Sequence, residues 1–237
     1  MPEPRAEFLR VTALHAFYGE SHVLHGLDFN VGRGELVTLL GRNGSGRTTT
    51  LKAILGLVGK RSGSVMVNGR EAIGLPPHRI AQLGIGYCPE DRGIFASLTA
   101  EENLLLPPTV RTGGMTLDEI YEMFPNLRER RHAQGTRLSG GEQQMLALAR
   151  ILRTGARLLL LDEVTEGLAP VIVKALGEAI RSLKERDYTI VLVEQNFRFA
   201  APLADLHYVL EHGRVAEMIP QGELGSRMAR LHDYLGV

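Results

Sequence analysis

The feature that most constrains this chain is an ordered triplet: a short apolar run at residues 35–40, a glycine-rich loop, and a helix-like stretch at 48–57. The loop reads Gly41-Arg42-Asn43-Gly44-Ser45-Gly46-Arg47-Thr48. It fits the phosphate-binding pattern G-x-x-x-x-G-K-[ST] except that arginine stands in the lysine position. Glycines let successive N–H groups turn inward around phosphate oxygens, and the following helix adds its positive dipole end. Thr48 offers a hydroxyl for Mg²⁺. Arg47 keeps the charge of lysine but is planar and wider, so binding is expected to survive while hydrolysis slows if the terminal phosphate is displaced.

A second apolar run at 157–161 ends in Asp162-Glu163, and a third at 189–193 ends in Glu194-Gln195. Near-continuous apolar runs of this length suit parallel strands covered on both faces. An aspartate at such a strand end can hold Mg²⁺ through water, and an adjacent glutamate can orient and deprotonate an attacking water. Between about 90 and 150 the pattern turns helical. Thr99/Glu102 and Thr116/Glu119 fit capping boxes, Pro107-Pro108 and Pro125 are expected to stop helices, and another helix opens at Ser139. Residues 8–14, 23–31, 64–67 and 70–73 read as strands, with a hairpin turn at Asn68-Gly69. Residues 207–210 and 214–218 read as a hairpin around Glu211-His212-Gly213.

Composition narrows the classes. The 27 acidic and 27 basic residues of the 237-residue chain balance, which gives no support to nucleic-acid binding. The single cysteine, Cys88, excludes an internal disulfide and reads as a small apolar core residue. The start, Met1 to Glu7, is polar and unlike a signal peptide, and no run approaches the length of a membrane span. Any membrane connection is expected through partner subunits. None of the eight histidines shows the spacing of a zinc site, and residues 128–132 read as a solvated helix end.

Leu138-Ser139-Gly140-Gly141-Glu142-Gln143-Gln144 closely resembles the signature of ABC ATPases, and it stands in that family's order between the glycine loop and the Asp-Glu strand. The resemblance covers essentially the whole chain. It implies an α/β fold: a P-loop NTPase core with a mixed sheet, an antiparallel β edge and an inserted helical lobe. The core would comprise residues 1–89 and 151–237 and the lobe 90–150, in a single domain. It further implies an Mg-dependent ATPase working as half of a dimer with a second ABC ATPase, identical or related. ATP would lie between Gly41, Asn43, Gly44, Ser45, Gly46, Arg47, Thr48 and Thr49 of one protomer and Ser139, Gly140 and Gly141 of the other.

Tyr18, before Gly19, matches the residue that stacks on adenine. Mg²⁺ would be held by Thr48, Asp162 and Glu90. Glu90 stands where the family has glutamine, and a carboxylate there either binds metal more strongly or repels phosphate. Glu163, Gln195 and Arg47 would act on the terminal phosphate, with Gln195 replacing a histidine. Val164 replaces a proline after Glu163, freeing one φ angle before the dimer-crossing loop 165–169.

The segments Glu166-Gly167-Leu168-Ala169-Pro170, Val193-Glu194-Gln195-Asn196 and Arg92-Gly93-Ile94-Phe95 resemble the ATPases of branched-chain amino acid importers, whose relatives move urea or short amides. That implies a peripheral protein on the cytoplasmic face of the membrane, with transmembrane permease subunits and, indirectly, a solute-binding protein. Arg47, Glu90 and Val164 leave open an alternative, a low-turnover nucleotide sensor whose partner hydrolyses. A role on ribosomes or DNA is disfavoured by the neutral charge and the lack of a coiled-coil insertion.

Overall fold

The computed structural model describes residues 6–235; the polar start read at 1–5 lies outside them. Two sheets form the framework. The first is antiparallel and contains β1 (Glu7–Tyr18), β2 (Ser21–Gly32), β4 (Lys60–Val67) and β5 (Arg70–Glu71), in the order β2-β1-β4-β5. β1 runs four residues past the expected 8–14, β2 slightly exceeds the expected 23–31, and the two close in a tight turn after Tyr18. Beyond the expected spans lie the polar His15 and His22, whose rings cluster with that of His25. A bulge interrupts β1, where Ala13 takes φ 47° and its N–H is caught by Asp28 Oδ1 at 2.8 Å. Only glycine fits opposite: a Cβ on Gly63 would lie 2.3 Å from the Ala13 carbonyl oxygen.

The second sheet has six strands: β3 (Leu36–Leu40), β6 (Ile85–Cys88), β7 (Leu158–Asp162), β8 (Thr189–Val193), β9 (Leu206–Glu211) and β10 (Arg214–Pro220). Their order is β10-β9-β3-β8-β7-β6, parallel except for the antiparallel edge strand β10. The β9–β10 turn uses His212 and Gly213 at φ 47° and 71°, the left-handed pair a two-residue hairpin demands. β3, β7 and β8 are buried along their full length. Alternate residues serve opposite layers: Leu159, Leu161, Ile190 and Leu192 face the helical side, while Leu158, Leu160, Val191 and Val193 face the antiparallel sheet and α1 (Arg47–Ile54).

A short helix, α2 (Pro77–Ala81), precedes β6. The inserted helical lobe holds α3 (Ala100–Leu105), α4 (Leu117–Met123), α5 (Pro125–Glu129) and the start of α6 (Gly140–Arg153). Both expected capping boxes are present, and a third, Ser139 with Glu142, opens α6. Pro125 does more than stop a helix. It ends α4 and occupies the first position of α5, where its missing N–H costs nothing. α7 (Pro170–Glu185) and α8 (Phe197–Ala200) follow β7 and β8. The closing helix α9 (Leu224–Leu235) was not legible in the sequence. Arg227 and Arg230 anchor it to Glu217 of β10 at 2.7 and 3.0 Å.

Leu160 is wholly buried in a central strand. Leu160→Ala is expected to lower the unfolding free energy by about 2–5 kcal/mol, read from urea titrations followed by circular dichroism.

Candidate functional site

Parallel pairing sets the site. Adjacent strands β3, β8, β7 and β6 all release their chains at one sheet edge, the position where open α/β sheets bind ligands. From them emerge, in spatial order, the glycine loop, Glu194-Gln195, Asp162-Glu163 and Glu90. An open cleft of about 320 Å³ is lined by Asn43, Gly44, Gly46, Arg47, Thr48, Thr49, Glu90, Glu163, Glu166 and Gln195. The fold thus gathers most of the expected site residues from four segments far apart in sequence.

The loop has the backbone its glycines suggest. Gly44 and Gly46 take φ 80° and 103°, and Gly46 caps α1 from the left-handed region. A Cβ on Gly41 would lie 2.4 Å from the Leu210 carbonyl oxygen and 2.6 Å from Ser45 Oγ. Ser45 Oγ is buried with no hydrogen-bond partner among the described residues, an orphaned hydroxyl that a phosphate oxygen would satisfy. On that observation the loop fits a phosphate-bearing ligand.

Thr48 Oγ1 donates to Asp162 Oδ1 at 3.0 Å, and the Tyr87 hydroxyl donates to Asp162 Oδ2 at 3.0 Å. Asp162 is fully buried. Desolvation holds its carboxyl above the ordinary carboxylate range, partly offset by those two hydrogen bonds. Thr48, Asp162 and Glu90 are all oxygen donors, the set that Mg²⁺ takes. Glu90 has moved into unexpected company: its carboxylate, with those of Glu163 and Glu166, forms a group whose ligand oxygens lie within 4.8 Å of one another. Glu166 was not foreseen as a site residue.

Glu163 sits at φ 48°, a left-handed conformation uncommon for glutamate. Its carboxylate is gripped from both sides: Arg47 Nη2 donates to Oε1 at 3.0 Å and Gln195 Nε2 donates to Oε2 at 2.8 Å. Burial raises its pKa, which the Gln195 hydrogen bond and then the Arg47 charge oppose. Arg47 is itself buried, with Nη1 donating to the Glu194 carbonyl at 2.9 Å and Nη2 reaching Asn43 Oδ1 at 3.3 Å. The guanidinium width noted in the sequence therefore has a concrete consequence: its second nitrogen reaches the carboxylate across the cleft.

Two sets of expected residues lie elsewhere. Tyr18 ends β1 with 47% of its surface exposed. Ser139, Gly140 and Gly141 open α6 and contribute nothing to the cleft lining, so one chain presents the glycine loop and the serine-glycine turn as separate surfaces. Four further residues escaped the sequence reading. Tyr87 holds Asp162; Glu194, 2% exposed, bonds Thr165; and α9 brings Tyr234 and Leu235 to the walls of pockets beside residues 42–44. Glu194 had a usable signal, since it follows β8 as Asp162 closes β7.

Comparison with known proteins agrees with this geometry. Residues 24–166 match the ABC transporter family. The chain is 42% identical over 208 residues to the high-affinity branched-chain amino acid transport ATP-binding protein BraG of Pseudomonas aeruginosa, covering 84% of this chain and 87% of that one. It is 41% identical over 212 residues to a probable branched-chain amino acid transport ATP-binding protein, LivF, of Archaeoglobus fulgidus, covering 88% and 90%. A solved dimeric ATP-binding cassette in a post-hydrolysis state, bound to ADP and Pi, superposes with a TM-score of 0.78 at 24% identity, covering 90% of this chain and 98% of that one. The chain belongs to the ABC transporter family, as one of its ATP-hydrolysing, ATP-binding subunits.

Proposed function

We propose that this chain powers an ABC importer of branched-chain amino acids or related small polar solutes such as urea and short amides. The observation that carries the substrate class is the 42% identity to BraG across 84% of the chain. Among the described residues no helix is long and apolar enough to cross a membrane. In this reading the chain lies on the cytoplasmic face, docked on transmembrane permease subunits that receive solute from a solute-binding protein.

The separation of the serine-glycine turn from the cleft supports a dimer. ATP bound at Gly41, Asn43, Gly44, Ser45, Gly46, Arg47, Thr48 and Thr49, with adenine on Tyr18, would be closed over by Ser139, Gly140 and Gly141 of a second ATPase, identical or related. There the N-terminus of α6 would meet the terminal phosphate. Thr48, Asp162 and Glu90 would hold Mg²⁺, which when bound neutralises phosphate charge in the transition state. Glu163 would orient the attacking water and accept its proton, a task favoured by its raised pKa. Gln195 would bond the terminal phosphate on leaving Glu163. Closure on ATP and release on hydrolysis would switch the permease between two accessible states.

Glu163→Gln is expected to lower phosphate release by roughly 100-fold or more and to accumulate as a dimer in Mg·ATP by size-exclusion chromatography. A variant that stays monomeric at saturating ATP overturns the sandwich. For the substrate, cells lacking this chain should lose most high-affinity uptake of labelled leucine or valine. Unchanged uptake of these, of urea and of short amides overturns the assignment.

The Arg47–Glu163 ion pair favours a second reading, a nucleotide sensor with little turnover of its own. Glu163 is a weaker base toward water while each of its oxygens accepts a hydrogen bond, one from the charged Arg47 and one from Gln195. A charge-assisted bond is worth roughly 1.5–3 kcal/mol. Arg47→Lys removes the second nitrogen, and kcat for phosphate release is expected to rise about tenfold if opening this pair limits turnover. An active wild type that Arg47→Lys fails to accelerate excludes the sensor reading.

A further inference from the structure

The Glu194 carboxylate has no part in the chemistry above, yet it is buried beside the cleft. Its Oε1 accepts the Thr165 backbone N–H at 3.0 Å and its Oε2 accepts the Thr165 hydroxyl at 2.9 Å. The backbone N–H of Asn196 also donates to it. These partners are amides and a hydroxyl. The guanidinium of Arg47 bonds the main-chain carbonyl of Glu194 instead, at 2.9 Å. The next residue, Gln195, reaches Glu163, which shares Arg47.

One residue thus joins three segments: the glycine loop through Arg47, the strand end that carries Gln195, and the loop 165–169 through both the backbone and side chain of Thr165. That loop follows Val164, where no ring fixes φ, so its first residue takes its position from Glu194. Burying a carboxylate without a cation disfavours its charged form, and desolvation pushes the group up to about 7 against the Thr165 bonds and with the repulsion of Glu163. An apolar side chain would fill the volume without that penalty. It would leave the Thr165 N–H and hydroxyl unbonded.

We propose that Glu194 is a positioning residue that passes the state of the glycine loop to loop 165–169 and so to the surface facing the second ATPase. A terminal phosphate that draws Arg47 toward itself takes the donor from the Glu194 carbonyl, and the resulting shift reaches Thr165 through two hydrogen bonds. Coupling of this kind needs contacts that differ between two states, which the Arg47 bond supplies. The inference rests on the nucleotide-sandwich reading.

The test compares steady-state phosphate release and fluorescent ATP-analogue affinity for the wild type, Glu194→Ala, Glu194→Gln, Thr165→Val and the two double variants. Glu194→Ala should lower kcat about tenfold while KM and affinity stay within about twofold. Glu194→Gln, which still accepts from the Thr165 N–H, should recover to within about threefold of wild type. Thr165→Val should lose activity alone and add nothing to Glu194→Ala, because the pair acts as one unit, but should still lower Glu194→Gln, which keeps the contact. If Glu194→Ala does not fold, Thr165→Val decides the matter: turnover within twofold of wild type overturns the inference. Turnover of Glu194→Ala within twofold of wild type, or additive losses in the Glu194→Ala and Thr165→Val cycle, overturns the inference. Failure of Glu163→Gln to dimerise in Mg·ATP overturns the sandwich reading. A normal Glu163→Gln dimer beside additive losses removes only the role of Glu194.

Discussion

The parallel pairing of β3, β8, β7 and β6 is the constraint on which the molecule depends. Each strand is short, and β3, β7 and β8 are apolar along their whole length, so they are stable only between two layers. The antiparallel sheet with α1 covers one face and the helices cover the other. Because all four strands point the same way, every polar residue that follows them appears at one edge. The glycine loop, Asp162-Glu163 and Gln195 become neighbours although they are far apart in sequence. Register matters as much as direction. Leu161 pairs with Cys88 and Leu192, which brings Asp162 level with Val193 and sets Glu163 against the start of the next loop. A slip of one residue would turn the layers inside out.

That convergence gathers acids as well as ligands. Asp162, Glu163, Glu90, Glu166 and Glu194 all meet near the strand ends, and burial raises the pKa of Asp162, Glu163 and Glu194. The fold answers this crowding in three ways. Hydroxyls of Thr48 and Tyr87 satisfy Asp162, Thr165 satisfies Glu194, and Arg47 with Gln195 satisfies Glu163. A magnesium nucleotide would bring its own divalent charge to this edge and relieve the same repulsion.

The fold was legible wherever a local rule agreed with the tertiary environment. Continuous apolar runs marked β3, β7 and β8, Thr99 and Thr116 marked two helix starts through their paired glutamates, and Ser139 was read as a third. Signals failed where long-range contacts decide. β6 is four residues containing a glycine and is held by pairing with β7. The outer ends of β1 and β2 carry histidines rather than alternating apolar residues. α9 is fixed by Arg227 and Arg230 reaching back to Glu217, a carboxylate with nothing local to advertise it. In the site, residue types and strand-end positions were visible. The partners of Arg47 were not, because the loop motif describes a backbone and says nothing about where a guanidinium longer than the usual ammonium will bind.

Arg47 shows how one atom-scale difference alters the energetics of a site without altering its architecture. A lysine offers three N–H donors, but all from a single nitrogen. The guanidinium offers a rigid fork, and here one nitrogen is on the Glu194 carbonyl while the other is on Glu163 and Asn43. These are groups from β8, β7 and the loop itself, so a single side chain spans the sheet edge. A terminal phosphate bound in this loop would compete with all of them, and its advantage would be its charge. In the nucleotide-bound state proposed above, a phosphate that took the second nitrogen would draw the guanidinium from Glu163, so the freedom of that carboxylate would follow the arrival of the ligand.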